Sequence, residues 1–174
     1  MMEPYQSGPI FTRRSIRDYT GAPVGAPQLD RIIRAGMQAP TALNGRGWEF
    51  YVYTGRRNKE IIAGMSPHAS PAARAAAVIV LCANRETIRR SREESWFVQG
   101  LSACTQNMLL QIAAEGLGGV WLGCYPRETR MEYLQKELGY PRHVVPFSVV
   151  ALGCGSRQNT FEDRYDPAEI HYEE

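Results

Sequence analysis

Apolar and polar positions along the chain follow two spacings, which predict helices and strands in turn. Apolar side chains three or four residues apart predict helices over residues 28–38, 57–65 and 128–138. Runs rich in β-branched and aromatic residues predict strands over residues 48–53, 77–83, 120–124 and 146–152. The run 77–83 is apolar throughout, which is typical of a central strand covered on both sides. The pattern therefore predicts a mixed sheet with helices on both faces.

A longer helix is predicted over residues 96–115, and its apolar side chains lie on nearly all sides. Such a helix belongs either in the centre of the fold or in a subunit interface. The tail from Gly153 to Glu174 is polar and has few apolar residues of its own. We therefore expect it to lie on another part of the chain or on a second subunit.

The composition narrows the class of protein. With 174 residues, 44% of them hydrophobic and 22% charged, the chain is typical of one globular domain spanning residues 1–174. A formal net charge of +2 favours a small-molecule partner over nucleic acid or an anionic membrane. The N-terminus lacks the basic and apolar segments of a signal peptide, and the longest apolar run, residues 75–83, is too short to span a bilayer. We expect a cytoplasmic protein.

Several enzyme mechanisms lack the residues they need. The histidines, His68, His143 and His171, are isolated, and no Cys/His cluster has zinc spacing, so we predict no metal site. No serine lies in a GxSxG elbow, which argues against an esterase-type hydrolase. An enzyme without an evident acid, base or nucleophile takes its chemistry from a cofactor.

The cysteines and the glycine run have structural interpretations. No two cysteines form a CxxC pair, and we predict structural thiols at Cys82, Cys104, Cys124 and Cys154. The glycine-rich run 116–119 follows a helix and leads into a strand, the reverse of the order in a dinucleotide fingerprint. We interpret it as a helix C-cap.

The segment Arg13–Arg17 offers three guanidinium groups and one hydroxyl within five residues. Guanidinium groups match phosphate oxygens, and the hydroxyl of Ser15 adds a donor. The alternative is a solvated basic turn paired with neighbours such as Asp18. A second polar segment, residues 39–50, carries amide and hydroxyl groups suited to the edge of a flat heterocycle. Its alternative is a plain helix-to-strand connection, with Trp48 in the core.

Together these segments resemble the nitroreductase family. Four motifs carry the resemblance in the family's order, namely R-R-S-I-R at residues 13–17, A-P-T-A-x-N-x-R-x-W-E-F at 39–50, A-A-E-G-L-G-G-V-W-L-G at 113–123, and V-A-L-G at 150–153 followed by Arg164. The resemblance spans nearly the whole chain.

The resemblance implies a site for FMN, and it implies a role for each matching residue. Arg13, Ser15 and Arg17 match positions that hold the phosphate, the ribityl chain and the pyrimidine edge, while Arg14 matches a variable position that often contacts the flavin through the main chain. Arg164 matches a tail residue that returns to the phosphate. The strand end at Leu122 and Gly123 matches the position where a backbone N–H faces the flavin N5.

The resemblance also implies a homodimer with FMN at the subunit interface. One loop would reach the flavin of the opposite subunit, and its matching residues are Pro40, Thr41, Ala42 and Asn44. The implied fold is α+β, with a mixed sheet of four to five strands flanked by helices and a C-terminal tail swapped between subunits. The implied reaction is ping-pong transfer of electrons from NADH or NADPH, through FMN, to a nitro compound, quinone or flavin.

Three departures from the family pattern bear on that site. Arg46-Gly47 replaces the commoner Gln-Pro, Thr41 replaces a serine, and Glu162 stands where some members carry a phosphate-binding lysine. Glu162 would place a negative charge near the phosphate, and we expect simple repulsion between them. The chain is also short for the family. Longer members cover the flavin with a helical insertion, and the sequence leaves open whether this chain has such a cover.

Two other functions fit the same resemblance. One is a flavin-fragmenting, dehalogenating or dehydrogenating enzyme of the same fold. The other is a non-catalytic flavin-binding protein, because a fold does not determine a function.

Overall fold

The computed structural model describes residues 4–92, 94 and 96–173. The strands are β1 (Trp48–Tyr53), β2 (Ala77–Asn84), β3 (Gly118–Gly123) and β4 (Val144–Gly153). The α-helices are α1 (Pro9–Thr12), α2 (Ala26–Met37), α3 (Arg56–Ala63), α4 (Pro71–Arg74), α5 (Arg85–Arg90), α6 (Phe97–Ala114) and α7 (Glu128–Glu137). Short 3-10 turns cover Pro4–Ser7, Ala42–Asn44 and Pro167–Glu169.

The four strands form one sheet in the order β1-β2-β4-β3, and every neighbouring pair is antiparallel. Among the described residues, parallel pairing is limited to a bridge between Ser15 and Gly119. The α+β class is confirmed. The mixed character of the sheet comes from that bridge and not from a full parallel strand.

The central strand β2 supplies side chains to both faces of the sheet because successive residues of a strand point to opposite sides. Ala77, Ile79 and Leu81 pack with residues of α2 and α6. Val78 and Val80 pack on the other face with residues of α3, α4 and α7. The prediction of helices on both faces is confirmed.

A β-bulge interrupts the pairing of β2 with β4. Leu81 pairs with Ser148, whereas Cys82 pairs with Pro146, so Phe147 is the extra residue on β4. Proline has no N–H to donate to the ladder, and such residues collect at bulges. Beyond the bulge the pairing continues through Val145 and Val144, so β4 begins two residues before the predicted start at Pro146.

The long helix α6 lies in the centre of the fold. Its buried side chains include Leu101, Cys104 and Met108, which belong to the cluster between the sheet and α2. Gly36 on α2 allows this close packing, because a Cβ there would lie 2.9 Å from the Met108 Cγ. The helix ends at Ala114, and Gly116 just beyond it has a φ of +71°, the left-handed terminating conformation predicted for the glycine run. None of the described helices has the length and apolar character needed to cross a membrane.

The spacing of apolar residues did not predict two short helices. Helix α5 is capped by Asn84, whose side chain accepts hydrogen bonds from the N–H groups of Glu86 and Thr87. An asparagine cap and basic residues in the last turn are typical of helix ends, so the sequence does contain features that mark this helix. Helix α4 begins at Pro71, the last residue of the loop predicted over 67–71, and it is a single turn without amphipathic spacing.

The cysteines are free, as predicted, and three of them are buried. Burial raises the pKa of the Cys104 thiol to about 12 and that of Cys124 to about 12. These thiols stay protonated at neutral pH, which fits a structural role.

Candidate functional site

The segment Arg13–Arg17 runs along the outer edge of β3. The Ile16 N–H donates to the Gly119 carbonyl oxygen at 3.0 Å, and the Ile16 side chain is buried. A Cβ at Gly118 would lie 2.6 Å from the Ile16 Cγ2, so the glycine permits this approach. The glycine run therefore has a second role beyond the helix cap, which is to admit the arginine segment.

Neighbouring residues of an extended segment point to opposite sides. Ile16 enters the core, and Arg14 turns towards the C-terminal tail, where its Nε lies 3.2 Å from the Glu162 carboxylate. Arg13, Ser15 and Arg17 alternate with these two residues. Ser15 and Arg17 thus lie on the side away from Ile16, whereas Arg13, at the end of α1, lines the same cavity as Arg14.

Asn159 fastens this segment to the tail and to the end of α6. Its Oδ1 accepts from the Arg14 N–H at 2.9 Å, and its Nδ2 donates to the Leu117 carbonyl oxygen at 3.0 Å. The main-chain contact expected for Arg14 therefore cannot use its N–H group. Sequence reasoning missed Asn159, since its partners lie 145 and 42 residues away and no local pattern marks it.

Arg13, Arg14 and Arg164 line a cavity of about 250 Å³, together with Glu162. Burial lowers the pKa of Arg13, and the charges of Arg14 and Arg164 lower it further. Among the described residues, the Arg13 side chain has no hydrogen bond or ion pair, and the Arg14 Nη2 is buried without a partner. Unpaired guanidinium donors held close together favour an anion with several acceptor oxygens.

Glu162 lies in this cavity and pairs with two of its arginines. The carboxylate is 3.2 Å from the Arg14 Nε and 3.0 Å from the Arg164 Nη2. The hydrogen bond from Arg164, with the charges of Arg164 and Arg14, lowers the pKa of Glu162. The carboxylate thus lies beside the predicted phosphate residues, but it is held by Arg14 and Arg164 and not by Arg13.

The far end of β3 presents a backbone N–H that faces away from the neighbouring strand. Alternate residues of an antiparallel strand turn both their N–H and C=O away from the paired neighbour. The Gly119 carbonyl bonds outward to Ile16, so Trp121 and Gly123 also face outward. The Gly123 carbonyl oxygen accepts from the Arg130 Nη1 at 2.6 Å, while its N–H points away from β4. Leu122, between them, is buried.

The loop at Pro40–Asn44 borders a different cavity, of about 610 Å³, on the outer side of α6. Its lining residues are Pro40, Thr41, Ala42, Leu43, Trp96, Gln99, Gly100 and Ala103. Asn44 accepts from the Arg46 Nε at 3.0 Å, and Thr41 accepts from the Arg46 N–H at 3.2 Å. Arg46, one of the three departures, thus braces its own loop. Within one chain the two halves of the predicted site lie in separate cavities.

Similarity to known proteins identifies the family of this chain. The model of the nitroreductase family matches residues 10–73 and 64–155. The chain belongs to the nitroreductase family. The resemblance read from the four sequence motifs is thereby confirmed.

Relatives of this nitroreductase share its length and fold. A protein of Archaeoglobus fulgidus, provisionally named NADH dehydrogenase/NAD(P)H nitroreductase, is 39% identical over 94% of this chain and 95% of its own. A provisionally named NADH oxidase of Clostridium acetobutylicum has a TM-score of 0.91 at 35% identity, over 95% of this chain and 99% of its own. A provisionally named nitroreductase of Desulfovibrio desulfuricans, crystallised with FMN, has a TM-score of 0.81 at 28% identity, over 100% of this chain and 98% of its own.

Proposed function

We propose that this nitroreductase is an FMN-dependent oxidoreductase that transfers electrons from NADH or NADPH to a small organic acceptor, such as a nitro compound, a quinone or a flavin. The names of its relatives support the cofactor and the donor. The observation that carries the proposal is a cluster of arginines with unpaired donors, joined by one extended edge to an outward-facing backbone N–H. The chain would act as one FMN-binding domain.

The residues fit FMN in charge and in length. The unpaired donors of Arg13 and Arg14 suit a phosphate dianion. From the level of Ser15, at Gly119, to Gly123 the strand rises about 13 Å, since each residue adds about 3.3 Å. This span matches the length of FMN, with its phosphate at one end, its sugar chain along the edge and its flat ring at the other end.

The chain's own residues bind and orient the cofactor. Arg13 and Arg164 would hold the phosphate, and Ser15 and Arg17 the ribityl chain and the pyrimidine edge. The Gly123 N–H would bond to N5, and Arg130 fixes the peptide that follows. FMN held by these residues would supply the redox chemistry, which is acceptance of hydride from a nicotinamide and donation of electrons to an acceptor.

The second half of the site would come from a partner subunit. Leu43 is 68% exposed at the tip of its loop, beside the apolar cavity along α6. The backbone φ angles of Leu43 and Asn44 are +52° and +54°, a conformation that the surroundings must hold in place. We propose that Pro40, Thr41, Ala42 and Asn44 reach the flavin of the opposite subunit, and that the exposed tail crosses to that subunit.

Replacing Arg13 tests the phosphate site directly. We expect Arg13→Ala to weaken FMN binding about 10- to 150-fold, because a charge-assisted hydrogen bond contributes about 1.5–3 kcal/mol. Isothermal titration of the FMN-free protein gives the Kd. Arg57→Ala, which removes an exposed arginine on α3, is the matched control and should bind like the wild type. Full FMN occupancy of Arg13→Ala after dialysis would refute the assignment.

A further inference from the structure

Trp121 is an exposed indole in a strand that is otherwise largely covered. Its side chain is 37% exposed, while Val120 and Leu122 on either side are buried. Residues two apart share a face, so the neighbours of Trp121 on its face are Gly119 and Gly123. A Cβ at Gly123 would meet only the Arg130 Nη1, at 3.9 Å. No side chain of β3 therefore covers the indole on its own face of the strand.

The inner side of this indole rests on a row of aromatic rings. Phe97 meets Tyr125 edge-on at 5.7 Å between centroids, Tyr125 stacks on Phe147 at 5.5 Å, and Phe147 lies 6.4 Å from Trp121. Phe97 and Phe147 are buried, and Phe147 is the residue set apart by the bulge in β4. The row holds the indole in place while leaving its outer part open.

A single exposed tryptophan is common on protein surfaces and by itself has no functional meaning. What distinguishes Trp121 is its position between two features of the edge of β3. On one side is the bridge that brings Ser15 and the arginines to Gly119. On the other is the outward N–H of Gly123. A flat conjugated ring with acceptor atoms at its rim needs a stacking surface beside a donor, and this edge offers both.

We propose that Trp121 is the stacking platform for the isoalloxazine ring of FMN and so a further residue that positions the cofactor. This inference rests on the proposed function and adds a residue outside the motif positions already matched to flavin contacts. Aromatic pairs prefer offset or tilted stacking, which an indole held on one side can adopt without reordering. An indole in contact with a flavin also quenches the flavin's fluorescence by electron transfer in the excited state.

The test compares three variants that are each loaded with FMN. The emission of bound flavin, per FMN counted by absorbance, should be several-fold higher in Trp121→Phe than in the wild type. Trp48→Phe, which replaces a half-buried indole on β1, is the control and should leave emission unchanged. In Trp121→Ala, loss of stacking should raise the FMN Kd about 2- to 10-fold.

The outcomes separate this inference from the proposed function. Wild-type protein that binds FMN, with emission and Kd unchanged in both Trp121 variants, would overturn the inference and leave the function standing. A Trp121→Phe variant that instead dissociates into monomers would also overturn it, because the indole would then belong to a subunit contact. Wild-type protein that takes up no FMN would overturn both.

Discussion

At the scale of single residues, Glu162 occupies the arginine cluster that we assign to the phosphate. Its carboxylate pairs with Arg14 and Arg164, while Arg13 makes no ion pair with any described residue. An FMN phosphate and this carboxylate would use the same donors and repel each other. We therefore expect Glu162 to stabilise the arginines in the FMN-free protein and to compete with the phosphate when FMN binds.

Glu162→Gln should change stability and affinity in opposite directions. The FMN-free variant should melt a few degrees lower, because the three arginines of the cavity then lose the carboxylate that pairs with two of them. Its FMN affinity should rise by roughly two- to fivefold at low salt and by less at high salt, since the charges are exposed and screened. Thermal melts and FMN titrations at two ionic strengths measure both effects.

Glu60→Gln is the matched control, because Glu60 also pairs with an arginine, Arg56, on an exposed surface far along the chain from the tail. It should alter neither FMN binding nor its salt dependence. Weaker FMN binding by Glu162→Gln would show that the carboxylate orients the arginines for the phosphate and does not compete with it.

At the scale of secondary-structure elements, one ion pair joins α2 to the end of α6. The Arg31 Nε lies 2.6 Å from the Glu115 carboxylate, and Gln111 donates to the same group. The hydrogen bonds from Arg31 and Gln111 lower the pKa of Glu115 from 4.5 to about 2. This pair holds the helix whose C-cap leads into the glycine-rich start of β3.

The stability contributed by Glu115 should depend on pH in a defined window. Because its pKa is lower in the folded than in the unfolded chain, the contribution is complete above about pH 4.5 and is lost as pH falls towards 2. Glu115→Gln should therefore be less stable than the wild type at pH 7, and the difference should shrink between pH 4.5 and 2. Urea midpoints across that range provide the measurement, with Glu132→Gln on α7 as the control. A difference that does not change with pH would contradict the assignment.

The same scale shows what the sequence could predict. The bounds of β1 were predicted correctly, because aromatic and β-branched residues fill every position except Glu49. The start of β3 was missed by two residues, since Gly118 and Gly119 carry no side chain and join the strand only through pairing with Gly153 and Leu152. The start of β4 was also missed by two residues, because Val144 and Val145 join the strand through pairing with β2 beyond a bulge. Local pattern predicts an element, but its ends are set by partners far along the chain.

In the candidate site too, the sequence could predict residues that lie close together in the chain but not contacts between distant segments. Arg13, Ser15 and Arg17 could be found because they lie within five residues. The clamp by Asn159 could not, because it joins three segments that only the folded chain brings together. The outward N–H of Gly123 follows from strand pairing and not from residue type.

At the scale of the whole molecule, the exposed apolar side chains point to a second subunit. Leu43 is 68% exposed and Tyr172 is 87% exposed. We predict a homodimer that buries about 2,000 Å² or more, as permanent interfaces do. Light scattering at micromolar concentration should give twice the mass of one chain. The mass of a single chain would contradict the proposal that each site has residues from two subunits.

The central claim is that the chain binds FMN and delivers electrons to it from a nicotinamide. The direct measurement is the visible spectrum of the FMN-loaded protein, titrated with NADH and then with NADPH in the absence of oxygen. We predict that the two flavin bands bleach with at least one donor and return when a quinone is added. Bands that persist with both donors, or FMN that is lost on dialysis of the wild type, would contradict the account.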